Sequence, residues 1–184
     1  MPSGRVHDRV TLWTLPWVTL WAGTAARSTT VALTVGAAYL FSGLMFGGDL
    51  DTRSLQYQRW LWLRWLWIPY RRALRHRSVW SHGPVVGTTV RLLYVGAWVL
   101  GSGAIALYAL HLLDRAPWTP FAWGRAAWLW LARPVAGTPF SHATLLGWTW
   151  LGLELGAMSH SLSDWTVSAW KRRQTSARKQ RSGK

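Results

Sequence analysis

Residues 28–51 read STTVALTVGAAYLFSGLMFGGDLD. No residue from 28 to 48 carries a formal charge, and the run then stops on two carboxylates, Asp49 and Asp51. A helix crossing a hydrocarbon core needs roughly 20 apolar residues, and this run is long enough. Outward from it lie three more uncharged stretches, at residues 10–26, 92–113 and 134–153. The first is short and contains Pro16, so it is tilted or only partly inserted. The last reaches spanning length if extended past Glu154 to about His160. Residues 59–67, RWLWLRWLW, are too short and too charged to span, but Trp and Arg together favour the headgroup level. The expected fold is therefore all-α: an integral membrane helical bundle of about four transmembrane helices plus a short interfacial helix.

Charge supplies the topology. The chain carries 21 Lys and Arg against 6 Asp and Glu, a formal net charge of +15. Arg53, Arg59, Arg64, Arg71, Arg72, Arg75, Arg77 and Arg91 fall between the second and third stretches. The segment 171–184, KRRQTSARKQRSGK, is basic throughout. The other connections hold only Arg27 or Arg115, Arg125 and Arg133. The positive-inside rule then makes both termini and the 53–91 segment cytoplasmic. Residues 1–170 read as one membrane-embedded domain. The tail 171–184 is poor in apolar residues and is expected to be disordered, in electrostatic contact with an anionic cytoplasmic leaflet. Nucleic acid is the less expected partner, since no aromatic residue follows Trp170 among the tail charges.

There is no Cys, which excludes disulfides and thiolate zinc sites and leaves nitrogen and oxygen ligands for any metal. The few acids and histidines are not scattered. They form His7-Asp8, Asp49/Asp51, His76/His82 and His160/Asp164. Imidazole and carboxylate are the usual ligands of zinc and similar ions. In the expected topology all four clusters reach the cytoplasmic face, although only Lys and Arg set that topology. His160 and Asp164, at i and i+4, share one helix face, with Gly156 a turn earlier leaving room beneath them. Asp49 and Asp51 repel unless a cation neutralises them. His111, His142 and Asp114 fall at the opposite ends of the third and fourth stretches and read as interfacial polar residues. Glu154 lies about 120° around an ideal helix from His160, so it pairs with Arg91 or faces a crevice. Ser-His-Asp catalysis is not expected, because adjacent residues such as Ser81 and His82 rarely present nucleophile and base to each other.

The stretches MPSGRVHDR, GGDLD, HRSVWSHGP and GAMSHSLSDW resemble a family of predicted metal-binding integral membrane proteins of unknown function, well represented in cyanobacteria. The ordered His, DxD, HRxxxSH and HxxxD pattern is also similar to membrane-bound metal-dependent hydrolases. That group often carries His after the second Asp and Ser after the second His, where this chain has Thr52 and Gly83. The resemblance implies His7, Asp49, Asp51, His76, His82, His160 and Asp164 as metal ligands, with Asp8 next as a ligand or a supporting partner. Arg77, within the His76–His82 motif, is suited to a substrate phosphate.

Three functions compete. The first is a metal-dependent hydrolase acting on a phosphoester or another membrane-surface substrate, small molecule or lipid. One or two divalent ions, zinc first and manganese second, would act there, with Asp8 or Asp164 taking the proton of water. The second is a non-catalytic membrane protein whose metal ties helix ends together. The third, a metal transporter, is weaker because the ligands lie at one face and not at the bilayer midplane.

Overall fold

The uncharged runs fold as helices in a computed structural model that describes residues 4–76, 78–113 and 120–182. Helix α1 (Gly4–Ala26) and helix α2 (Thr29–Met45) form an antiparallel hairpin. Extended Ser28 caps α2, its Oγ accepting from the Val31 N–H at 3.4 Å. After α2 come short pieces: a 3-10 turn over Gly48–Asp51, α3 (Leu55–Gln58), a 3-10 turn over Leu61–Trp67, α4 (Ile68–Ala73) and α5 (Val79–His82). Three longer helices follow: α6 (Val86–Leu112), α7 (Pro120–Ala132) and α8 (His142–Ser182). Among the described residues only an isolated bridge, Pro134 to Ser141, has β geometry. The all-α expectation holds.

The span count does not follow as directly. Two segments, Thr29–Asp51 and Val86–Leu112, are long and apolar enough to cross a membrane by length and composition. These are two of the four expected. The fourth stretch departs from its expected bounds, because α8 starts only at His142. Gly137 takes a positive φ of 73° and Pro139 follows, so residues 134–141 close a turn, and Ser141 Oγ then accepts from the Thr144 N–H. At its other end α8 runs on through Ser182, across the segment expected to be disordered. Lys, Arg, Gln and Ala are strong helix formers, and a helix already nucleated upstream extends through them cheaply. The expected interfacial helix is also not one regular helix. Leu61 has a φ of 50°, which breaks the α geometry and starts the 3-10 turn. Part of residues 115–133, read as a connection, is the helix α7.

The bundle's closest seam joins α2 to α8, and small residues allow it. A Cβ on Gly152 would come within 2.7 Å of the Val35 carbonyl oxygen, and one on Gly156 within 2.9 Å of the Gly43 nitrogen. At these positions only glycine leaves room for the two backbones to approach. Beneath the seam an aromatic cluster holds the short pieces in place. Trp67 is fully buried, with ring centres of Trp60, Tyr70, Tyr94 and Phe46 at 5.1, 5.5, 5.6 and 5.7 Å. The Tyr94 hydroxyl donates to the Leu66 carbonyl, tying the second 3-10 turn to α6. The loops of residues 46–91 are thereby fixed against one end of the α1/α2/α8 bundle.

Candidate metal centre

Three helices and two loops deliver the clusters to that end. His7 lies in the first turns of α1, Asp49 and Asp51 in the 3-10 turn after α2, and His160 and Asp164 within α8. His76 precedes α5 and His82 closes it. Two groups result, each with ligand atoms within 4.8 Å of one another: Asp49, Asp51, His76 and His82, and His7, His160 and Asp164. All seven expected ligands are present. His142 begins α8, 18 residues before His160 and so about 27 Å away along the axis. Its Nδ1 lies 2.9 Å from the Arg133 carbonyl oxygen and its ring packs on Trp130.

The geometry within the groups favours a cation. Asp49 Oδ2 lies 3.1 Å from His160 Nε2, and Asp49 Oδ1 lies 3.4 Å from His82 Nε2. His7 Nε2 is 3.3 Å from Asp164 Oδ1. Yet Asp49 Oδ1, Asp51 Oδ2, His82 Nε2, both ring nitrogens of His160 and Asp164 Oδ1 are buried without a hydrogen bond. They approach closely but are misaligned for proton sharing. Buried polar atoms are rarely left unpaired, because each costs roughly 1–3 kcal/mol. Convergent nitrogen and oxygen donors left without hydrogen bonds fit divalent-metal binding within each group. Burial, and then the neighbouring His160, hold the His7 imidazole below its ordinary pKa of 6.5, in the neutral form that binds metal.

Two serines orient these rings, and sequence reading did not single them out. Ser163 Oγ donates to the His160 carbonyl at 2.8 Å, so it accepts from His7 Nδ1–H at 2.6 Å. Buried Ser81 Oγ lies 3.3 Å from the Arg75 and Ser78 carbonyls and 2.9 Å from His82 Nδ1. Each serine gives its proton to the backbone and takes the Nδ1 proton, which leaves Nε2 as the ligand atom. Ser81 and His82 therefore do meet, against expectation. The helical turn of α5 brings the hydroxyl back over the ring, but at 0% exposure the serine is no nucleophile for a substrate. Arg91 Nη1 donates to the Ser81 carbonyl at 2.8 Å and Nη2 to Thr88 Oγ1 at 2.9 Å, bracing α5 from α6. Ser54, Ser159 and Ser161 also donate to backbone carbonyls, so no spacing rule marks the two that orient histidines. His76 is held differently: its Nδ1 is 2.9 Å from Asp51 Oδ1.

One sequence expectation changes, that of Asp8, and that of Glu154 holds. Asp8 lines the cavity, but Arg59 takes both of its oxygens, Nη1 to Oδ1 at 2.9 Å and Nη2 to Oδ2 at 2.5 Å. The pair raises the pKa of Arg59, and a carboxylate so engaged is not available as a base. Glu154 does not join either group. Its Oε1 accepts from the Val85 N–H at 2.9 Å, holding Val85 at a positive φ of 65°, and the side chain shares a small cavity with Arg91. Arg77 and Asp114 lie outside the described residues.

The sequence pattern of a family described as uncharacterized metal-binding protein (DUF2227) matches residues 2–174. The chain belongs to this family. Its metal-binding character agrees with the two ligand groups, whose seven residues all lie within the matched region. No curated protein and no solved structure matches the chain. The family therefore supports a metal ion, and its description names neither the metal nor a reaction.

Proposed function

We propose that this metal-binding protein is an integral membrane hydrolase of four spans, with its His/Asp centre at the cytoplasmic face and an anionic phosphoester as substrate. The observation that carries the reading is a cavity of about 350 Å³ on which His7, Asp49, His76, His160 and Asp164 all border. A purely structural ion needs a closed shell and no such space. Thr52, Ser54 and Gln56 also line the cavity and offer hydrogen bonds to a substrate.

Several features support the membrane setting. No residue in the most apolar stretch of α6 is buried within the chain, and Leu93, Val99, Leu100 and Ile105 along it are 63–75% exposed. The buried set meanwhile includes His7, Gln56, Arg91, Glu154, His160 and Asp164. Apolar side chains outside and polar ones inside is the distribution a lipid solvent selects. A crevice lined by Arg53, Arg64, Arg71 and Arg72 adds a positive surface near the site, suited to an anionic headgroup.

A divalent ion held by these residues would supply Lewis acidity and would acidify a bound water. The chain's own residues do the rest. Ser81 and Ser163 keep His82 and His7 in the metal-binding tautomer, and Asp51 orients His76. With Asp8 committed to Arg59, Asp164 is the carboxylate at the cavity with two oxygens to divide between ion and proton. Zinc is the first choice for this donor set and manganese the second. The test is phosphate release from phosphomonoester and phosphodiester lipids by purified protein, metal-loaded or chelator-treated. Release that chelation abolishes supports hydrolysis. A fully loaded protein that releases nothing, and gains only thermal stability from the metal, sinks it.

A further inference from the structure

We infer that the centre holds two divalent ions joined by the Asp49 carboxylate, one in each ligand group. This rests on the metal-binding reading and adds to it the number of ions and the residue that couples them.

The argument begins with the count of donors. Seven ligand-type side chains converge, whereas one catalytic zinc takes three protein ligands and a structural one takes four. The seven do not form a single ring. They divide into a set of four, two Asp and two His, and a set of three, two His and one Asp. Each set mixes nitrogen and oxygen donors, so each is chemically complete for one ion. If one ion sat in either set, the buried unpaired atoms of the other would remain unpaired. With an ion in the first set only, the ligating ring nitrogen of His160 and Asp164 Oδ1 would stay without a partner. With an ion in the second only, His82 Nε2 and Asp51 Oδ2 would.

Asp49 connects the sets. Its Oδ1 faces His82 Nε2 of the first, and its Oδ2 faces His160 Nε2 of the second. A carboxylate that turns its two oxygens to histidines of different groups is placed as a bridge. The His7 and His160 rings also lie close, with centroids 3.9 Å apart, so the second set is tightly gathered. The set of three, with Asp49 lending one oxygen, sits on the larger cavity, as His7, His160 and Asp164 all border it. The substrate is therefore expected at the ion held by His7, His160 and Asp164. The other ion would be held by His76, His82 of α5 and Asp51 of the 3-10 turn.

The experiment is a manganese titration of the detergent-purified full chain, with bound metal counted by mass spectrometry and spin coupling read by electron paramagnetic resonance. The proposal expects two equivalents with an exchange-coupled spectrum. His7→Ala and His82→Ala should each fall to one equivalent with an uncoupled six-line signal. Asp49→Ala should lose the coupling whether or not it keeps both ions. Circular dichroism checks that each variant stays helical, and Ser163→Ala, which removes only the orienting hydroxyl, stands in for His7→Ala if the latter fails to fold. It should weaken the second equivalent alone. One equivalent in the wild type, or two that are uncoupled, overturns the bridged pair while leaving metal binding intact. A helical wild type that binds no ion overturns the metal-binding reading itself, and the pair with it.

Discussion

The two ends of this molecule follow opposite rules. At one end, α1, α2 and α8 bury His7, His160, Ser163 and Asp164 against loops sealed by Trp67. Away from it, α6 carries Val99, Leu100 and Ile105 in the open, and α7 exposes Trp123, Trp128 and Trp130. Under the proposed membrane setting the two arrangements agree: polar groups would pair with one another or with an ion inside, and apolar groups would meet lipid. The difference shows that polarity and burial must be read separately for each end. A mean hydropathy near zero, +0.06, hides both.

The comparison can be broken at either end. The largest expected effect is at the sealed end, where Trp67→Ala should cost about 3–5 kcal/mol by emptying the aromatic cluster. Thermal unfolding with and without metal would measure it, and the ligands of the 46–91 loops should lose affinity together. At the open end, Leu100→Arg should lower membrane insertion by about 2.5–3.5 kcal/mol if α6 lies in lipid. Glycosylation-tagged insertion assays read this directly, and an unchanged insertion would mean that α6 is covered by protein.

A pH titration sharpens the contrast on the polar side. The folded pKa of His7 lies below its ordinary 6.5, so the fold favours the neutral ring. Stability from that ring is full above pH 6.5 and is lost as pH falls through the window below it. Metal affinity should fall in the same window, since protons and metal compete for imidazole. Metal retention measured between pH 7.5 and 5 should decline steadily, and a flat profile would contradict a histidine site. The smallest effect belongs to Asp8→Asn. The ion pair with Arg59 is part-exposed, at 22% and 33%, so its loss should cost about 0–1 kcal/mol. Metal content should not change, which separates Asp8 from the seven ligands.

Much of the site was legible from residue types alone. His160 and Asp164 four apart on a helix, and Asp49 and Asp51 at the end of an uncharged run, already imply a shared face and a charge needing compensation. Local spacing could not reveal Arg59 as the partner of Asp8, 51 positions away. Nor could it find Ser163 under His7, 156 positions away, since serines in a helix look alike until a second helix is laid against them. The turn at residues 134–141 was missed for a related reason. Hydropathy does not register that Gly137 and Pro139 break a helix inside an uncharged stretch.

The sequence by itself determined the helical class, the inventory of nitrogen and oxygen ligands, and the absence of thiolates, because these depend on residue type and short-range periodicity. Only the tertiary structure decided which side chains meet. The α2–α8 seam at Gly152 and Gly156 brings backbones close enough to set His160 beside Asp49. Long-range contact is a property of packing, and packing is selected by the fit of whole surfaces that no single segment contains.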